Sequence, residues 1–295
     1  MFIDDQRRVA IIHVPKCGGT SVTSQLEAFD SYQGAFRRRG AHPQLGPLDF
    51  THIPLRALAE HFPAEFDKVA RYESFALTRD PHERFASATF HRLQEYQGVG
   101  KLDASLDAAL AEARAVMAWL GGRGAFHDPA YIHFCPQTDF VMLDGRRVVR
   151  HIFAVEDMGK MARVLESTCG LRIDADRREN TNYASANRLF SILHAAKPVY
   201  SRLTTWRFRK RIMATLQKLK LQSADSLYKA IARDSEITRF VEDYYAADFE
   251  LYRLAARSPE TRGESILSIR SGPLDATTGC EAGSRGSGAA CGSGQ

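Results

Sequence analysis

The chain has 295 residues, of which 44% are apolar and 25% are charged. This composition suits one large domain or two small ones, and it excludes a collagen, a disordered acidic protein and a disulfide-stabilised mini-protein. Lys and Arg total 40 against 35 for Asp and Glu, a net charge of +5, which favours an anionic ligand but does not require nucleic acid. We therefore expect a globular protein with no nucleic-acid partner.

Strand-like and helical segments alternate along the chain. We predict strands at residues 8–14, 48–53 and 72–78, and a further pair, 140–143 and 148–155, flanking the hairpin signal Asp144-Gly145. We predict helices at 20–29 with Thr20 or Ser21 near the N-cap, at 81–96 with Asp80 as N-cap, at 103–120, at 156–169, and through most of 184–257. This order predicts a three-layer, P-loop-like α/β fold with a central, mostly parallel sheet flanked by helices and a helical C-terminal part.

The composition shifts near residue 258. From there to residue 295 the chain is dominated by Gly, Ser, Ala and Thr, which cannot bury enough apolar surface to offset the entropy of ordering. We predict one α/β domain over residues 1–257 and a disordered tail over 258–295, in which only 265–269 has strand character.

The cysteine pattern and the length of the apolar stretches indicate whether to expect disulfides, a metal site or a membrane span. There is no C-x-x-C pair and no cluster of Asp, Glu and His at metal-ligand spacing, so we expect no disulfide framework and no metal. No stretch reaches the roughly 18 apolar residues of a membrane span, so we expect a soluble, cytoplasmic protein. The five cysteines are Cys17, Cys135, Cys169, Cys280 and Cys291.

The first segment with chemical character is PKCGGTS at residues 15–21, after the first predicted strand. Adjacent glycines let a backbone approach a ligand closely, and N–H groups at the start of a helix bind phosphate or sulfate. The lysine precedes the glycines, whereas the loop of nucleotide triphosphatases places it after them. The segment therefore predicts an anion-binding loop of a different kind.

The second segment is RDPHERFASATF at residues 79–90. Arg79 follows a predicted parallel strand, and Ser87 lies two turns into the next helix. Both can face the crevice beyond the carboxyl ends of the strands, where open α/β sheets bind ligands. An Arg fork and a hydroxyl directed at one point suit a phosphate group, although a salt bridge to Asp80 or Glu83 also explains Arg79. We expect Arg84 to be a structural ion-pair partner.

In these two segments the chain resembles the PAPS-dependent sulfotransferases, in particular the branch of carbohydrate sulfotransferases of the heparan 2-O type and their bacterial relatives. PKCGGTS is similar to that family's 5′-phosphosulfate loop, and RDPHERFAS is similar to its 3′-phosphate segment. Residues 237–252 also resemble the family's closing helix. The resemblance implies transfer of a sulfuryl group from 3′-phosphoadenosine 5′-phosphosulfate (PAPS) to a hydroxyl or amine. We expect a carbohydrate or glycoconjugate acceptor, and a glycan, a lipid-linked sugar or a small alcohol would each be compatible with the donor site.

The resemblance also implies roles for individual residues. Lys16 would bridge the 5′-phosphate and the departing sulfonate and stabilise charge on the leaving oxygen, and Arg79 and Ser87 would bind the 3′-phosphate. The 5′-phosphate would be held by the residues that follow Lys16 in the loop: Cys17 mainly through its backbone, Gly18, Gly19, and Thr20 and Ser21 with their hydroxyls.

The general base is predicted separately. His52 ends a predicted strand, and an imidazole near neutral pH suits removal of the proton from an acceptor hydroxyl. His42 and His82 are weaker candidates, and we expect His13 to be a core residue with its hydrogen bonds satisfied.

Three further segments have no firm assignment. Residues 137–139 and 180–182 are polar and can serve as turns or caps. Residues 197–220 form a basic amphipathic segment, which is either a solvated helix face or a contact surface for an anionic glycan, a membrane surface or a partner. Two alternatives to an enzyme of this family stay open: a non-catalytic nucleotide-binding or scaffold protein of the same fold, and a nucleotide kinase.

Overall fold

The computed structural model of the protein describes residues 1–98, 105–122, 128–177 and 228–257. In chain order the strands are β1 (Phe2–Asp4), β2 (Val9–Ile12), β3 (Arg39–His42), β4 (Gly46–Asp49), β5 (Glu73–Thr78), β6 (Met142–Leu143), β7 (Arg146–Arg147) and β8 (His151–Ala154). The helices are α1 (Gly19–Thr23), α2 (Leu55–His61), α3 (Pro63–Arg71), α4 (Pro81–Glu95), α5 (Leu106–Gly121), α6 (Thr138–Val141), α7 (Met158–Cys169), α8 (Ser235–Tyr244) and α9 (Ala246–Arg257). Short 3₁₀ turns occupy Ser24–Phe29, Ile132–Phe134 and Val155–Asp157.

A four-stranded, mostly parallel sheet lies at the centre of the molecule and is flanked by helices. Its strand order is β1-β2-β5-β8; β1 pairs antiparallel with β2, whereas β2, β5 and β8 are parallel. Ile12 pairs with Ala76, so the carboxyl ends of β2 and β5 lie side by side. Helices α3, α7 and α9 pack against the sheet. The predicted mixed α/β architecture is confirmed in this respect.

Local sequence signals explain the helix that follows β5. The Asp80 carboxylate accepts hydrogen bonds from the amides of His82 and Glu83 at 2.9 and 3.1 Å, and Pro81 occupies the first helical position. The predicted start of this helix is therefore confirmed. The prediction for the helix after β2 is wrong at its start: Gly18, in a left-handed conformation, is the N-cap residue, and neither Thr20 nor Ser21 has this position.

Three strand predictions need correction. The predicted strand 48–53 is shifted, because β4 ends at Asp49 and pairs with β3 in a separate two-stranded hairpin. The predicted hairpin around Asp144-Gly145 forms, but only through the short strands β6 and β7; both turn residues have positive φ, as a tight hairpin turn requires. The later half of the predicted segment 148–155 becomes β8 and joins the central sheet instead.

Two apolar clusters stabilise the fold. The larger surrounds the central sheet, with Ile11, Phe75 and Leu165 among its buried residues. The smaller lies between α4, α5 and α8 and includes Phe85 and Val116. Because α4 contacts this second cluster along one face, its start beside Arg79 is held rigidly at the edge of the sheet.

Several predicted features lie outside the described residues: the loop 180–182, the basic segment 197–220, most of the predicted helices between 184 and 227, and the tail 258–295 with its segment 265–269. Helices α8 and α9 lie within the range predicted as helical. None of the helices that the structure describes combines the length and the apolar character needed to cross a bilayer.

Candidate functional site

The loop after β2 is built around two glycines and a strained lysine. Gly18 has φ +82°, and a Cβ on Gly19 would lie 2.2 Å from the His13 ring, so this close approach of chain segments requires glycine. Lys16 has φ +64°, a left-handed conformation that lysine rarely adopts. Backbone strain of this kind persists where surrounding structure enforces it, commonly at functional sites.

Two cationic residues, Lys16 and Arg79, follow the carboxyl ends of β2 and β5, and their charges lie within Coulombic reach of each other. Burial of the Lys16 ammonium, together with the nearby charge of Arg79, lowers the pKa of Lys16 from 10.5 to about 8. Two like charges held together disfavour each other unless an anion lies between them. The pair therefore forms a site that suits an anionic group.

Gln137 joins the two segments that the sequence singles out. Its Oε1 accepts a hydrogen bond from the Arg79 amide at 2.9 Å and lies 3.2 Å from the Cys17 Sγ, and its Nε2 donates to the Arg79 carbonyl at 2.9 Å. Gln137 is fully buried. One amide side chain thus fixes the glycine loop relative to the end of β5.

The Cys17 side chain points into the protein. Its thiol is buried between Pro15 and Gln137, and burial raises its pKa to about 12. The thiol is therefore neutral and only weakly reactive at physiological pH.

Behind Gln137 lies a buried ionic contact. The Asp248 carboxylate accepts hydrogen bonds from the amides of Gln137 and Thr138 at 2.8 and 3.0 Å. Arg84 lies 3.6 Å from the same carboxylate, donates to the His133 carbonyl at 3.0 Å and stacks on Tyr245. The predicted structural role of Arg84 is therefore confirmed, with Asp248 as its partner.

Arg79 and Ser87 already have partners. The Arg79 guanidinium pairs with Glu83 through two hydrogen bonds of 2.9 and 3.0 Å. Ser87 is buried and shares a hydrogen bond with Tyr228, and the Arg79 charge lowers the pKa of Tyr228 against the raising effect of burial. Arg79, Ser87 and Tyr228 thus lie close together, and an anion bound by Arg79 would compete with Glu83.

His52 lies in a row of four imidazole rings. Ring centroids are separated by 4.6 Å between His13 and His52, by 5.0 Å between His52 and His133, and by 4.4 Å between His133 and His91. The His52 Nδ1–H donates to the His13 carbonyl at 2.9 Å, so the lone pair of this neutral ring is on Nε2. His52 therefore presents Nε2 as its proton acceptor.

The row of imidazoles is uncharged. Burial lowers the pKa of His52 to about 4, although the Asp49 carboxylate raises it, and burial lowers the pKa of His91 to about 3. Burial also lowers the pKa of His13 and His133 well below the ordinary histidine value. The Lys16 charge lowers the pKa of all four further, so the row lies within Coulombic reach of the glycine loop.

The structure brings most of the predicted residues together and separates a few. One edge of the sheet carries the glycine-loop residues Lys16, Cys17, Gly18 and Gly19 together with Arg79. His52 lies beside this loop, where it bonds to the His13 carbonyl. The Ser21 amide donates a hydrogen bond to the Gly18 carbonyl at 3.0 Å and so closes the first turn of α1. The sequence predicts that this amide is open to an anion, and the structure differs in that respect. Thr20 is exposed beside it.

The other histidine predictions have mixed outcomes. His13 is buried as predicted, but its Nδ1 has no hydrogen-bond partner among the residues that the structure describes, so it is not a satisfied core residue. His42 lies against His61, and His82 lies against Phe249. Neither belongs to the row around His52.

Sequence reasoning missed three contributors. Gln137 was noted only as part of a polar segment, and Asp248 and His133 were not singled out. A Gln in a polar loop has no distinguishing local pattern, and only the repeated appearance of histidine at positions 13, 52, 91 and 133 could have suggested a cluster.

Comparison with known proteins adds one finding. A model of the sulfotransferase family matches residues 1–255, most of the chain and all of its described part except the last two residues. Neither the curated proteins nor the solved structures contain a match. Because the family match covers the glycine loop, the Arg79 segment and the sheet that joins them, the chain belongs to the sulfotransferase family.

Proposed function

We propose that the protein transfers the sulfuryl group of PAPS to a hydroxyl or amine, with a glycan or lipid-linked sugar as acceptor class. Membership of the sulfotransferase family supports sulfuryl transfer in general. The identity of the donor, the class of the acceptor and the roles of individual residues go beyond family membership and are proposed. PAPS differs from ATP in having a 3′-phosphate and a 5′-phosphosulfate, and hence requires two anion sites at a fixed separation.

The observation that carries the proposal is the Gln137 bridge. Gln137 contacts Cys17 in the glycine loop and both backbone polar groups of Arg79 at the end of β5. The glycine loop and the Arg79 segment are therefore held at one distance from each other, which supports their proposed roles as two anion sites. A P-loop-like arrangement of strand, glycine loop and helix supports the 5′ end of the donor, and Arg79 with Ser87 supports the 3′ end.

The chemistry follows from the cations and the neutral histidine. The acceptor oxygen forms a bond to sulfur while its proton passes to His52 Nε2, and the bond between sulfur and the bridging 5′-phosphate oxygen breaks. Negative charge develops on that oxygen, where Lys16 stabilises it. The products are a sulfate ester and adenosine 3′,5′-bisphosphate, and the proton leaves His52 to solvent.

His52 suits this role because it is neutral and its tautomer is fixed. Its pKa of about 4 keeps the ring neutral at neutral pH but makes it a weak base, and a bound polyanionic donor would raise the pKa of this nearby imidazole toward the working pH. The Asp49 carboxylate also raises that pKa. No metal is required for this sequence of steps.

The test is calorimetric binding of adenosine 3′,5′-bisphosphate, with AMP and ATP for comparison and with Arg79→Ala as the variant. Arg71→Ala is the matched control, because Arg71 also pairs with an acidic residue one helical turn away, Asp67. We expect preference for the bisphosphate, lost in Arg79→Ala and kept in Arg71→Ala. Equal affinity for AMP would overturn the proposed donor and favour a scaffold role, and preference for ATP would favour a kinase.

A further inference from the structure

Three buried polar side chains converge beside the glycine loop. Asp49, His52 and His133 each direct one donor atom to a common region, and these three atoms lie within 4.8 Å of one another. All three residues are buried, with relative exposures of 5, 8 and 5%. Two imidazoles and one carboxylate, converging away from solvent, are a ligand set that binds transition metals.

Charge balance at Asp49 supports a cation here. Its carboxylate accepts a hydrogen bond from the Thr51 amide at 2.9 Å, and the half-exposed Arg39 lies 3.6 Å away. The Met1 amino group is also within Coulombic reach of Asp49, but burial lowers the pKa of this amine to about 5, so it carries no charge at neutral pH. A buried carboxylate at that distance from its counter-ion is incompletely compensated. A divalent cation between Asp49 and the two imidazoles would complete the compensation.

Hydrogen bonding around His52 also has the pattern of a metal ligand. Metal-binding histidines commonly donate their second ring N–H to a backbone carbonyl, which fixes the tautomer and the ring orientation. His52 does this through Nδ1, at 2.9 Å from the His13 carbonyl, and leaves Nε2 available. At the two ends of the row, His13 Nδ1 and His91 Nε2 are buried without a hydrogen-bond partner in the described part of the chain.

The distances between the three ligand atoms determine how far the side chains must move to bind a metal. Tetrahedral ligands about 2.1 Å from a zinc ion are about 3.4 Å apart. The separations here, at most 4.8 Å, would have to shorten by up to about 1.4 Å on metal binding. Magnesium and calcium prefer oxygen ligands, so the two nitrogens favour zinc or a similar metal.

We propose that Asp49, His52 and His133 bind a zinc-like divalent metal, and that this metal inhibits sulfuryl transfer by occupying the lone pair of His52. The inhibition rests on the proposed function, whereas the binding does not. A metal on Nε2 and a proton on Nε2 exclude each other. The site would therefore connect turnover to the availability of free metal.

Binding is tested with Zn²⁺ alone, in competition with a chromophoric chelator, on the full chain without a histidine tag. We expect one tight site per chain, weakened at least about tenfold in His133→Gln and in Asp49→Asn. His42→Gln and His82→Gln are matched controls on histidines outside the row, and both should bind like the wild type. Asp49→Asn keeps the size of the side chain and an oxygen for the Thr51 amide, and circular dichroism verifies its fold.

Absence of a tight site, or a site unaffected by both triad variants, would overturn the metal proposal. Inhibition is tested by adding Zn²⁺ and then a chelator during sulfuryl transfer: wild-type turnover should fall and recover, and the turnover that His133→Gln retains should be insensitive. Triad-dependent zinc binding without inhibition overturns the regulatory part. Triad-dependent binding in a protein that transfers no sulfuryl group supports the metal site and overturns only the proposed function.

Discussion

Gln137 and Arg79 exchange two hydrogen bonds of 2.9 Å, one in each direction between the side-chain amide and the backbone. The same Gln137 side-chain oxygen lies 3.2 Å from the Cys17 Sγ. The backbone amide of Gln137 donates a hydrogen bond to the Asp248 carboxylate on α9. The separation of the glycine loop and the Arg79 segment therefore depends on a side chain that is in neither of them.

Gln137→Ala should weaken binding of adenosine 3′,5′-bisphosphate by about ten- to a hundredfold, because the loop and Arg79 lose their fixed separation. The variant leaves the partly buried Arg79 amide without its acceptor, so the free energy of unfolding should fall by about 1 to 3 kcal/mol. Calorimetry measures the first effect and urea unfolding the second. Gln44→Ala, at an exposed site, is the control. Unchanged affinity in Gln137→Ala would show that the two segments hold their positions without the bridge.

The lowered pKa of Lys16 predicts a pH dependence of donor binding. The ammonium binds phosphate only when charged, and its pKa in the free protein is about 8. Affinity for adenosine 3′,5′-bisphosphate should fall by about twofold from pH 7 to 8, where the phosphates are already ionised, and above pH 8 by up to about tenfold per pH unit. Lys16→Arg stays charged throughout this range and should remove the decline. The same decline in the arginine variant would assign it to another group.

Glu83 competes with the proposed 3′-phosphate for Arg79. Glu83→Gln removes the acidic partner of the guanidinium. An exposed ion pair contributes roughly 0.2 to 1 kcal/mol, so affinity for adenosine 3′,5′-bisphosphate should rise by up to about fivefold. Asp67→Asn, which removes the partner of Arg71, should change nothing. Weaker binding in Glu83→Gln would mean that Glu83 orients Arg79 rather than competing for it.

Asp248 should contribute more to stability than any surface acid. Asp248→Ala leaves the buried Arg84 charge without a counter-ion and two backbone amides without an acceptor. Loss of one partner of a buried ion pair costs about 3 to 5 kcal/mol of the free energy of unfolding, measurable in urea. Asp243→Asn, at an exposed pair with Arg239, should cost less than about 1 kcal/mol. A similarly small loss in Asp248→Ala would show that Arg84 relaxes toward solvent.

Local patterns account for the features that the sequence predicts well. Asp80-Pro81 marks the start of α4, because helix capping depends on residues only three positions apart. The apolar segment before PKCGGTS predicts β2, because a short run of apolar residues is enough to identify a buried strand. The site residues that were missed act across the chain. Gln137 meets Cys17 over 120 positions, and Asp248 meets Gln137 over 111. No local spacing encodes such contacts, since packing of the sheet and α9 creates them.

The same reason explains the errors around His52. The segment 48–53 has the composition of a strand, but its partner is the hairpin strand β3 rather than the central sheet, and strand pairing is decided by tertiary packing. The sequence also predicts that the hydrogen bonds of His13 are satisfied, and this is wrong for Nδ1 because the sequence does not show which groups surround the ring. The imidazole row forms only when positions 13, 52, 91 and 133 come together in the fold.

His52→Ala separates binding from chemistry. Because the proposed role of His52 concerns the acceptor proton and not the donor, affinity for adenosine 3′,5′-bisphosphate should stay within about twofold of the wild type, while turnover should fall by about a hundred- to ten-thousandfold. The retained affinity also reports that the variant is folded. His82→Ala, beside Phe249 and outside the imidazole row, is the control and should keep full turnover. The assays contain a metal chelator, so that metal bound at His52 does not lower the wild-type rate. Full turnover in His52→Ala would remove this residue from the mechanism and direct the search for the base to His133, the next imidazole of the row, 5.0 Å away.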